Sequence, residues 1–419
     1  KLLQQYGTQR HYAHAVVTAD PFLEKIRQTE GVLRADYAGE MRRNLEIVSR
    51  VEVVAGASDK ATAAHGLAQW IEPTDDASTF SGKLPDGLPL ILYLVEGSSF
   101  GTELWRRTGS DRHVEAFEER FGRPSELTDE KDLYDAAGLS FIPPEIREHD
   151  GELDAASDGI PNLITEEDIR GSLHNHSTYS DGAHTLRQMV EAARSIGYSY
   201  YAACDHSQSL VIANGMTADR VRKQQAEIRK INEEIAAAGS EPFRVFSGIE
   251  SDILYDGSLD YPTEVLATFD IVVASVHSRF NMARDEATER IVRAVENPYT
   301  TILGHPTGRL LLRREGYPID HARVIDACSA NGVSIEINAN PRRLDIDWRW
   351  VRRATDRGVL IAIDPDAHSI DELYYMRWGV AIARKGWLEP EQCLNAKSLD
   401  AFTHWLDAMN RRRAAVTQL

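Results

Sequence analysis

The sequence contains few cysteines and no long apolar run. Cys204, Cys328 and Cys393 are its three cysteines in 419 residues, too few and too far apart for a disulfide framework or a thiolate metal site. This cysteine usage fits a reducing compartment, and we expect a cytoplasmic protein. No stretch approaches the roughly 18 consecutive apolar residues that a membrane-spanning helix needs. The start of the chain shows no signal-peptide pattern.

The sequence also lacks an excess of positive charge. Its 47 basic and 65 acidic residues give a net charge of −18, whereas proteins that bind DNA mainly through its phosphates are usually basic. The charge therefore gives a DNA partner only weak support, and any such contact must be local or come from sequence outside this chain. A small phosphate ester is the alternative partner, and no membrane partner is expected. Because the first residue is Lys1 rather than Met, we expect a fragment or a processed chain.

The sequence changes character near residue 150, where a stretch rich in Asp, Gly and Pro is typical of a linker. Before it, PFLEKIRQ predicts a helix, and VEVVAGA (51–57) and LPLILYLVE (88–96) predict strands. Helical segments follow over about 102–121 and 129–137. We expect a small α+β region over 1–97, a small helical region over 98–150, a linker over 151–167 and a separate domain over 168–419.

After the linker, short apolar runs alternate with amphipathic runs about seven times in about 210 residues. This alternation predicts an α/β fold with a parallel sheet, closed as an α/β barrel, and a doubly wound open sheet is the alternative. The predicted strands are RGSLH (170–174), YSYYAACD (198–205), FRVFSGIE (243–250), FDIVVASVH (269–277), TTILGH (300–305), VSIEIN (333–338) and VLIAID (359–364).

Histidines and carboxylates gather where these strands end. Six of the 14 histidines of the chain stand at the carboxyl ends of five strands, and those ends converge on one rim of an α/β barrel. So many unpaired polar groups on one rim would be unstable unless they bind something. Mixed His/Asp/Glu ligation suits zinc, manganese or iron, and two or three ions fit nine groups. The candidate metal ligands and catalytic residues are His174, His176, Asp181, His206, Glu250, His277, His305, Asp366 and His368.

A multinuclear site of this kind favours hydrolysis of a phosphate ester. A bridging water loses its proton near neutral pH and attacks phosphorus, and the ions stabilise the leaving oxygen. The sequence has no Walker loop or Rossmann fingerprint. Arg279, Arg309, Asn338 and Asn340 follow the ligands and are candidates for orienting a phosphate. Surface ion pairs and turn residues are the alternative for each of the four.

Seven stretches of the carboxyl-terminal region carry a resemblance to a known family. They are DIRGSLHNHSTYSDG, YAACDHSQSL, SGIESDILYDGSLDYP, DIVVASVHSRFN, ILGHPTGRLL, EINANPRRLD and DPDAHS. Together they resemble the PHP (polymerase and histidinol phosphatase) superfamily, above all the PHP domain that ends bacterial family X DNA polymerases. The resemblance covers about 168–390 and implies a distorted (β/α)7 barrel with a trinuclear metal site. It assigns the nine candidate ligands as metal ligands, and implies 3′–5′ exonuclease or other phosphoesterase activity.

The amino-terminal region resembles the family X polymerase palm and thumb in a degenerate form. In YAGEMRRNLEIVSRVEVVAGAS, Glu40 replaces the family's serine, and Arg50 and Glu52 stand where two palm aspartates belong. Ile91 replaces the third aspartate. The turn TGS (108–110) and AGLSFIPPEIRE (137–148) resemble thumb segments, so the resemblance implies a palm-like domain over 1–97 and a thumb-like domain over 98–150. Because a nucleotidyl transferase needs adjacent carboxylates for two Mg²⁺ ions, we expect no polymerase activity.

Four functions remain open at this point. The first is a metal-dependent phosphoesterase acting on DNA in repair, and the second is a small-molecule phosphomonoesterase of the histidinol phosphatase type. The third is a DNA-repair binding module without catalysis, against which the complete ligand set argues. The fourth is an active repair polymerase, which conflicts with Arg50 and Ile91.

Overall fold

A computed structural model describes residues 7–76, 78–239 and 242–416. The chain forms two compact units. Unit 1 comprises residues 1–162 together with 311–313, and unit 2 comprises residues 163–310 and 314–419.

Unit 1 is an α+β structure built around a five-stranded sheet. Its elements are β1 (Arg10–His11), α1 (Tyr12–Arg27), β2 (Val32–Ala38), α2 (Gly39–Arg42), β3 (Ile47–Val48), β4 (Val51–Ala57), α3 (Lys60–Leu67), β5 (Glu72–Pro73), β6 (Thr79–Lys83), β7 (Pro89–Glu96), α4 (Phe100–Thr108), α5 (Asp111–Phe121), α6 (Glu130–Ala136) and α7 (Glu152–Asp158).

The sheet of unit 1 has the strand order β2-β4-β7-β6-β5. Strands β4 and β7 are parallel, and the other pairs are antiparallel. Every residue of β4 is buried because both of its faces are covered. Val53 packs in a core with residues of α1 and α3, whereas Val54 packs against Phe100 and Leu104 of α4. Both predicted strands of this region are therefore present.

The helices of unit 1 differ in detail from the predicted ones. Helix α1 begins at Tyr12, nine residues before the predicted start, and contains Pro21. The predicted helical stretch 102–121 is two helices, because α4 ends at Thr108 and α5 begins at Asp111. Ser110 caps α5 by accepting a hydrogen bond from the backbone N–H of His113.

The predicted linker 151–167 is more ordered than the sequence suggested. It contains helix α7, and the side chain of Glu152 is fully buried and lies 2.5 Å from Nδ1 of His113. Gly151 and Gly159 flank the helix with φ angles of 92° and 117°. The glycines that suggested a flexible segment thus occupy helix ends, where a positive φ favours glycine. The border between the two units falls at residues 162 and 163.

Unit 2 alternates strands and helices from residue 171 onward. Its elements are β8 (Gly171–Ser172), α8 (Leu186–Ile196), β9 (Tyr200–Ala203), α9 (Ala218–Ala237), β10 (Arg244–Asp252), α10 (Thr263–Leu266), β11 (Ile271–Ser275), α11 (Arg284–Glu296), β12 (Ile302–Leu303), α12 (His321–Asn331), β13 (Ser334–Asn338), α13 (Val351–Asp356), β14 (Ile361–Asp364), α14 (Met376–Lys385) and α15 (Leu399–Val416).

The seven strands of unit 2 form one parallel sheet that runs in chain order from β8 to β14. Its two edges meet, because Asn175 and Ala367 form a parallel bridge just beyond β8 and β14. The backbone N–H of His176 donates to the carbonyl of Ala367 at 2.8 Å. The sheet is a nearly closed seven-stranded barrel, so the predicted α/β barrel is confirmed and the open doubly wound alternative is wrong.

Apolar side chains fill the barrel, as its strand sequences predict. Ala202, Phe246 and Val273 are buried together in one cluster, and Phe402 of α15 joins it. The rings of Phe402 and Tyr200 stack at 4.7 Å. Across the described ranges, none of the helices is both long and apolar enough to cross a membrane.

Candidate metal centre

The carboxyl-terminal rim of the barrel carries all nine candidate ligands. Strand twist and parallel direction bring these strand ends to one side, which is why residues scattered over the sequence meet there. They are His174, His176 and Asp181 after β8, His206 after β9, Glu250 within β10, His277 after β11, His305 after β12, and Asp366 and His368 after β14.

Their ligand atoms form three overlapping groups. Within each group, one atom from every residue lies within 4.8 Å of the others. His305 adjoins them, because its Nε2 lies 2.9 Å from Oε1 of Glu250. The groups are His176, Asp181, His206 and His368; His174, His176, Glu250 and Asp366; and His206, Glu250 and His277.

Buried nitrogen atoms without partners show that these groups fit a cation. His174 and His176 are fully buried, and neither Nε2 of His174 nor Nδ1 of His176 has a hydrogen-bond partner among the described residues. Buried polar atoms are normally satisfied, so an unpaired imidazole nitrogen in this cluster requires an explanation. Imidazole and carboxylate donors together suit zinc, manganese or iron, and the donor set therefore fits divalent metal ions.

The electrostatics of the rim also favour cations. Burial alone would lower the pKa of His174, but carboxylates such as Glu250 and Glu336 raise it well above its ordinary value. Burial and two neighbouring imidazoles hold the pKa of His176 well below its ordinary value. Burial would raise the pKa of Glu250, but the surrounding histidines lower it far below its ordinary value. Adjacent imidazoles cannot all be charged, whereas metal ions can replace their protons.

A second layer of carboxylates, which the sequence analysis missed, orients the histidines. Oε1 of Glu336 lies 2.6 Å from Nδ1 of His174, and its Oε2 accepts the backbone N–H of His305 at 2.6 Å. Oδ1 of Asp252 lies 2.6 Å from Nδ1 of His277. Burial lowers the pKa of His277, but Glu250 and Asp252 together raise it to about 10. A charged residue inside the buried strand VSIEIN was the available signal for Glu336.

Asp205 holds the loop that carries the first three ligands. Its carboxylate is fully buried and accepts hydrogen bonds from the backbone N–H and hydroxyl of Ser177, at 2.8 Å each, and from the hydroxyl of Ser180 at 2.6 Å. Nε2 of Gln224 on α9 donates to the same carboxylate. Burial raises the pKa of Asp205 despite these donors. The loop shape thus depends on a residue that directly precedes the ligand His206.

Two candidate ligands have unusual backbone angles. His305 has a φ of 23° and Asp366 a φ of 52°, a region that non-glycine residues adopt rarely. Oδ1 of Asp366 lies 2.9 Å from Nε2 of His176, and its Oδ2 accepts Nδ2 of Asn338 at 3.1 Å. Strained backbone of this kind concentrates at functional sites, where the surroundings hold it in place.

Arg309, a predicted substrate-binding residue, is hydrogen-bonded to the protein through all three of its side-chain nitrogens. Its Nη1 donates to Asp347 at 2.8 Å, its Nε donates to the carbonyl of Arg343 at 2.8 Å, and its Nη2 donates to the carbonyl of Leu344. The guanidinium therefore braces the loop after β13. Its protein partners lie 34 to 38 residues further along the chain, which the sequence could not indicate.

The other three predicted substrate-binding residues lie in different settings. Asn338 is fully buried and donates to Asp366 and to Glu336, so it supports a ligand. Oδ1 of Asn340 accepts the backbone N–H of Arg342 at 3.0 Å and shapes a turn. Arg279 follows His277 by two residues, and its guanidinium stacks on the ring of Tyr255 at 4.7 Å. The role of Arg279 toward a phosphate group stays a prediction.

Comparison with known proteins identifies the family. A family model described as the PHP domain matches residues 172–368. The chain is 38% identical over 411 residues to the DNA polymerase/3'-5' exonuclease PolX of Bacillus subtilis, and the match covers 92% of this chain and 71% of that protein. The chain belongs to the PolX family. The predicted PHP barrel and its polymerase-type amino-terminal region are therefore confirmed as family features.

Shorter relatives of this PolX family member are named as phosphatases. A probable phosphatase of Caldanaerobacter subterraneus is 34% identical over 138 residues, which are 30% of this chain and 52% of that protein. A probable phosphatase of Acetivibrio thermocellus is 28% identical over 169 residues, covering 39% and 63% of the two chains. With the PHP match, these relatives show that the chain is a metal-dependent hydrolase of phosphate esters.

The polymerase-type region of this PolX chain has an ion pair between two residues that the sequence resemblance compares with palm aspartates. Nε of Arg50 lies 3.2 Å from Oε2 of Glu52, and Glu52 raises the pKa of Arg50 above its ordinary value. Ile91 of β7 lies opposite Glu52 of β4 in the parallel register. Glu40 accepts the backbone N–H of Ser49 at 2.6 Å and also its hydroxyl. Arg50, Glu52 and Ile91, three of the four substituted positions, are therefore neighbours in space.

A cavity of about 560 Å³ lies over this ion pair in unit 1. Both basic and acidic side chains line it, including Glu40, Arg43, Arg50, Glu52 and Arg107, together with Tyr93. The guanidinium of Arg107 covers the ring of Tyr93 at 3.9 Å. The charges on this wall compensate each other, in contrast to the concentrated negative charge that two Mg²⁺ ions require.

Proposed function

We propose that this PolX-family chain is a multinuclear metal-dependent phosphoesterase that hydrolyses DNA phosphodiesters from the 3′ end. The observation that carries the proposal is the convergence of nine His, Asp and Glu side chains on one barrel rim. The relationship to PolX of Bacillus subtilis supports DNA as the substrate, because it extends over both units.

The three overlapping ligand groups would hold two or three divalent ions. When bound, such ions lower the pKa of water and neutralise the charge of a phosphodiester during attack. His176, His206 and Glu250 each belong to two of the groups and would contribute to holding more than one ion. Asp181 is the most exposed ligand, with 35% of its side chain accessible, and would face incoming substrate.

The carboxylates of the second layer would fix the protonation of two ligands. Glu336 accepts the proton on Nδ1 of His174, and Asp252 accepts the proton on Nδ1 of His277. With an ion bound, the opposite nitrogen, Nε2, would give up its proton and serve as the metal ligand. Arg279 on the same rim would bind a non-bridging phosphate oxygen.

The proposal includes the loss of polymerase activity. Arg50 introduces a positive charge beside Glu52, and Ile91 removes the carboxylate from the adjacent strand. Glu52 is paired with a guanidinium, and Glu40 accepts hydrogen bonds from Ser49, so neither is a free carboxylate of the kind that two Mg²⁺ ions need. The assignment of residues 1–97 as palm-like and 98–150 as thumb-like is part of the same proposal.

A small-molecule phosphomonoesterase is the second candidate. The similarity to probable phosphatases favours it, as does the net charge of −18, which opposes long contacts with DNA. This candidate uses the same ions and ligands, so the two functions differ only in the substrate.

The test compares two substrates on the chain loaded with Mn²⁺. A single-stranded oligonucleotide labelled at its 5′ end reports 3′–5′ degradation as a ladder of shorter labelled products, and p-nitrophenyl phosphate reports monoester hydrolysis. We expect the ladder and little monoester turnover. Monoester turnover without a ladder would support the second candidate, and no cleavage of either substrate would leave a binding module without catalysis.

Two variants make this test specific to the site. His176→Ala removes a residue shared by two ligand groups and should abolish cleavage, whereas Leu33→Ser changes an exposed leucine of unit 1 and should not. Metal analysis of the purified chain identifies the ions, for which manganese, zinc and iron remain predictions. A role in DNA repair and a cytoplasmic location also stay predictions.

A further inference from the structure

Two exposed apolar side chains stand at the tip of a rim loop beside the metal centre. Val211 is 82% exposed and Ile212 is 95% exposed, while the next residue, Ala213, is buried. They lie in a short 3-10 helix, Val211–Ala213. Adjacent β-branched residues so fully exposed to water suggest a contact surface.

The loop leaves the barrel at one ligand and returns to it. It follows His206, and the backbone N–H of Met216 donates back to the carbonyl of His206 at 2.8 Å. The hydroxyl of Tyr261 also donates to the carbonyl of Met216. The loop that carries the tip is therefore about ten residues long, and it begins at a candidate metal ligand.

Hydrogen bonds connect the residues on both sides of the tip to residues next to other candidate ligands. On one side, the hydroxyl of Ser209 donates at 2.7 Å to Asp252, the carboxylate that contacts His277. On the other side, Nδ2 of Asn214 donates at 3.1 Å to the carbonyl of Ser180, which precedes the ligand Asp181. Hydrogen bonds thus hold the apolar tip at a fixed place on the wall of the site.

The loop is also neutral in an acidic chain. Residues 207–218 contain no charged side chain, although 27% of all residues are charged and the net charge is −18. The loop itself therefore presents no carboxylate to a polyanion that approaches the candidate metal centre. This local neutrality suits a nucleic acid strand, whose backbone phosphates are negatively charged.

We propose, building on the DNA hydrolysis proposed above, that Val211 and Ile212 pack against the nucleobase next to the scissile phosphodiester. Apolar side chains of this kind insert beside or between bases in other nucleic acid complexes. The contact selects a substrate that carries a base close to the cleaved bond. It thereby distinguishes a DNA strand from a small phosphate monoester.

The experiment measures the contact as a ratio of two rates. One oligonucleotide carries normal 3′-terminal bases, and a second has stable abasic sites at its two 3′-terminal positions. We expect kcat/KM of the unaltered chain to be on the order of tenfold higher for the intact strand, because burying part of an exposed Val or Ile side chain against a base contributes about that much. In the double variant Val211→Ser/Ile212→Ser the ratio falls toward one.

The control is Leu33→Ser, which removes a leucine that is 64% exposed in unit 1 and should keep the ratio of the unaltered chain. A ratio unchanged in the double variant would overturn the inference while DNA hydrolysis stands. If the unaltered chain cleaves no DNA at all, the proposed function itself fails. If the unaltered chain sediments as a dimer and the double variant as a monomer, while the ratio of rates stays the same, the tip contacts a second copy of the chain and the inference is wrong.

Discussion

Replacing Glu336 by glutamine tests whether the second layer controls the metal centre. The side chain is fully buried, and its two oxygens lie 2.6 Å from Nδ1 of His174 and 2.6 Å from the backbone nitrogen of His305. Nδ2 of Asn338 donates to the second oxygen at 3.2 Å. Glutamine has nearly the same shape, but it presents an oxygen to only one side. On the other side its NH₂ group, which is itself a donor, would face the donor of either His174 or His305.

The expected effect is a large loss of metal affinity with the fold retained. A hydrogen bond to a charged group contributes about 1.5–3 kcal/mol, and substitution of a residue that orients a ligand weakens metal binding about 10- to 100-fold. At 1.4 kcal/mol per factor of ten, that range corresponds to about 1.4–2.8 kcal/mol. Both lines of reasoning therefore give the same size of effect for Glu336→Gln.

The assay is a titration of metal-free chain with Mn²⁺ against a competing chelator, followed by hydrolysis of the labelled oligonucleotide. Asp270→Asn is the matched control, because Asp270 also accepts a backbone N–H, that of Ser247 at 2.9 Å, but at the start of β11 rather than at the rim. Circular dichroism checks the fold of both variants. Manganese affinity of Glu336→Gln equal to that of the unaltered chain would refute the reasoning, and equal losses in both variants would indicate general destabilisation.

Three further predictions concern separate parts of the chain. His176→Ala should lower bound metal and hydrolysis at least 100-fold with an unchanged circular dichroism spectrum, and normal hydrolysis would contradict the ligand assignment. Arg50→Asp should give no templated primer extension with Mg²⁺, because Ile91 still lacks a carboxylate, and any extension would contradict the loss of polymerase function. In unit 1, burial lowers the pKa of His113 despite Glu152, whereas His113 and backbone donors lower the pKa of Glu152 despite burial. Since both pKa values are depressed, their contribution to stability is complete above pH about 6.5 and decreases as the pH falls. The melting temperature should therefore fall less steeply between pH 7 and pH 5 in His113→Gln than in the unaltered chain. Equal slopes would contradict this prediction.

The barrel and its rim could be predicted because both depend on local patterns. Each strand is a short apolar run, and a residue such as His206 or His277 ends such a run, so parallel strands alone bring these ligands together. The second layer could not be predicted in the same way. Glu336 and His174 are 162 residues apart, and only the closed barrel shows that they are in contact.

Other differences have equally specific causes. The linker prediction depended on glycines, and Gly151 and Gly159 instead flank a helix that is anchored by the buried Glu152. Arginine is a residue type that often binds phosphate, but the side chain of Arg309 donates hydrogen bonds to Asp347 and to two backbone carbonyl groups. A side chain's partners decide its role, and these partners are distant in sequence.

The meeting of the first and last barrel strands has a mechanical consequence. Across this seam, His176 and Asp366 come from positions 190 residues apart, and both belong to one ligand group. An ion held there would act as a cross-link between the two ends of the sheet, in addition to the bridge between Asn175 and Ala367. Loading with metal should therefore slow amide exchange in β8 and β14 more than in the central strands, since closing so long a loop is otherwise entropically unfavourable.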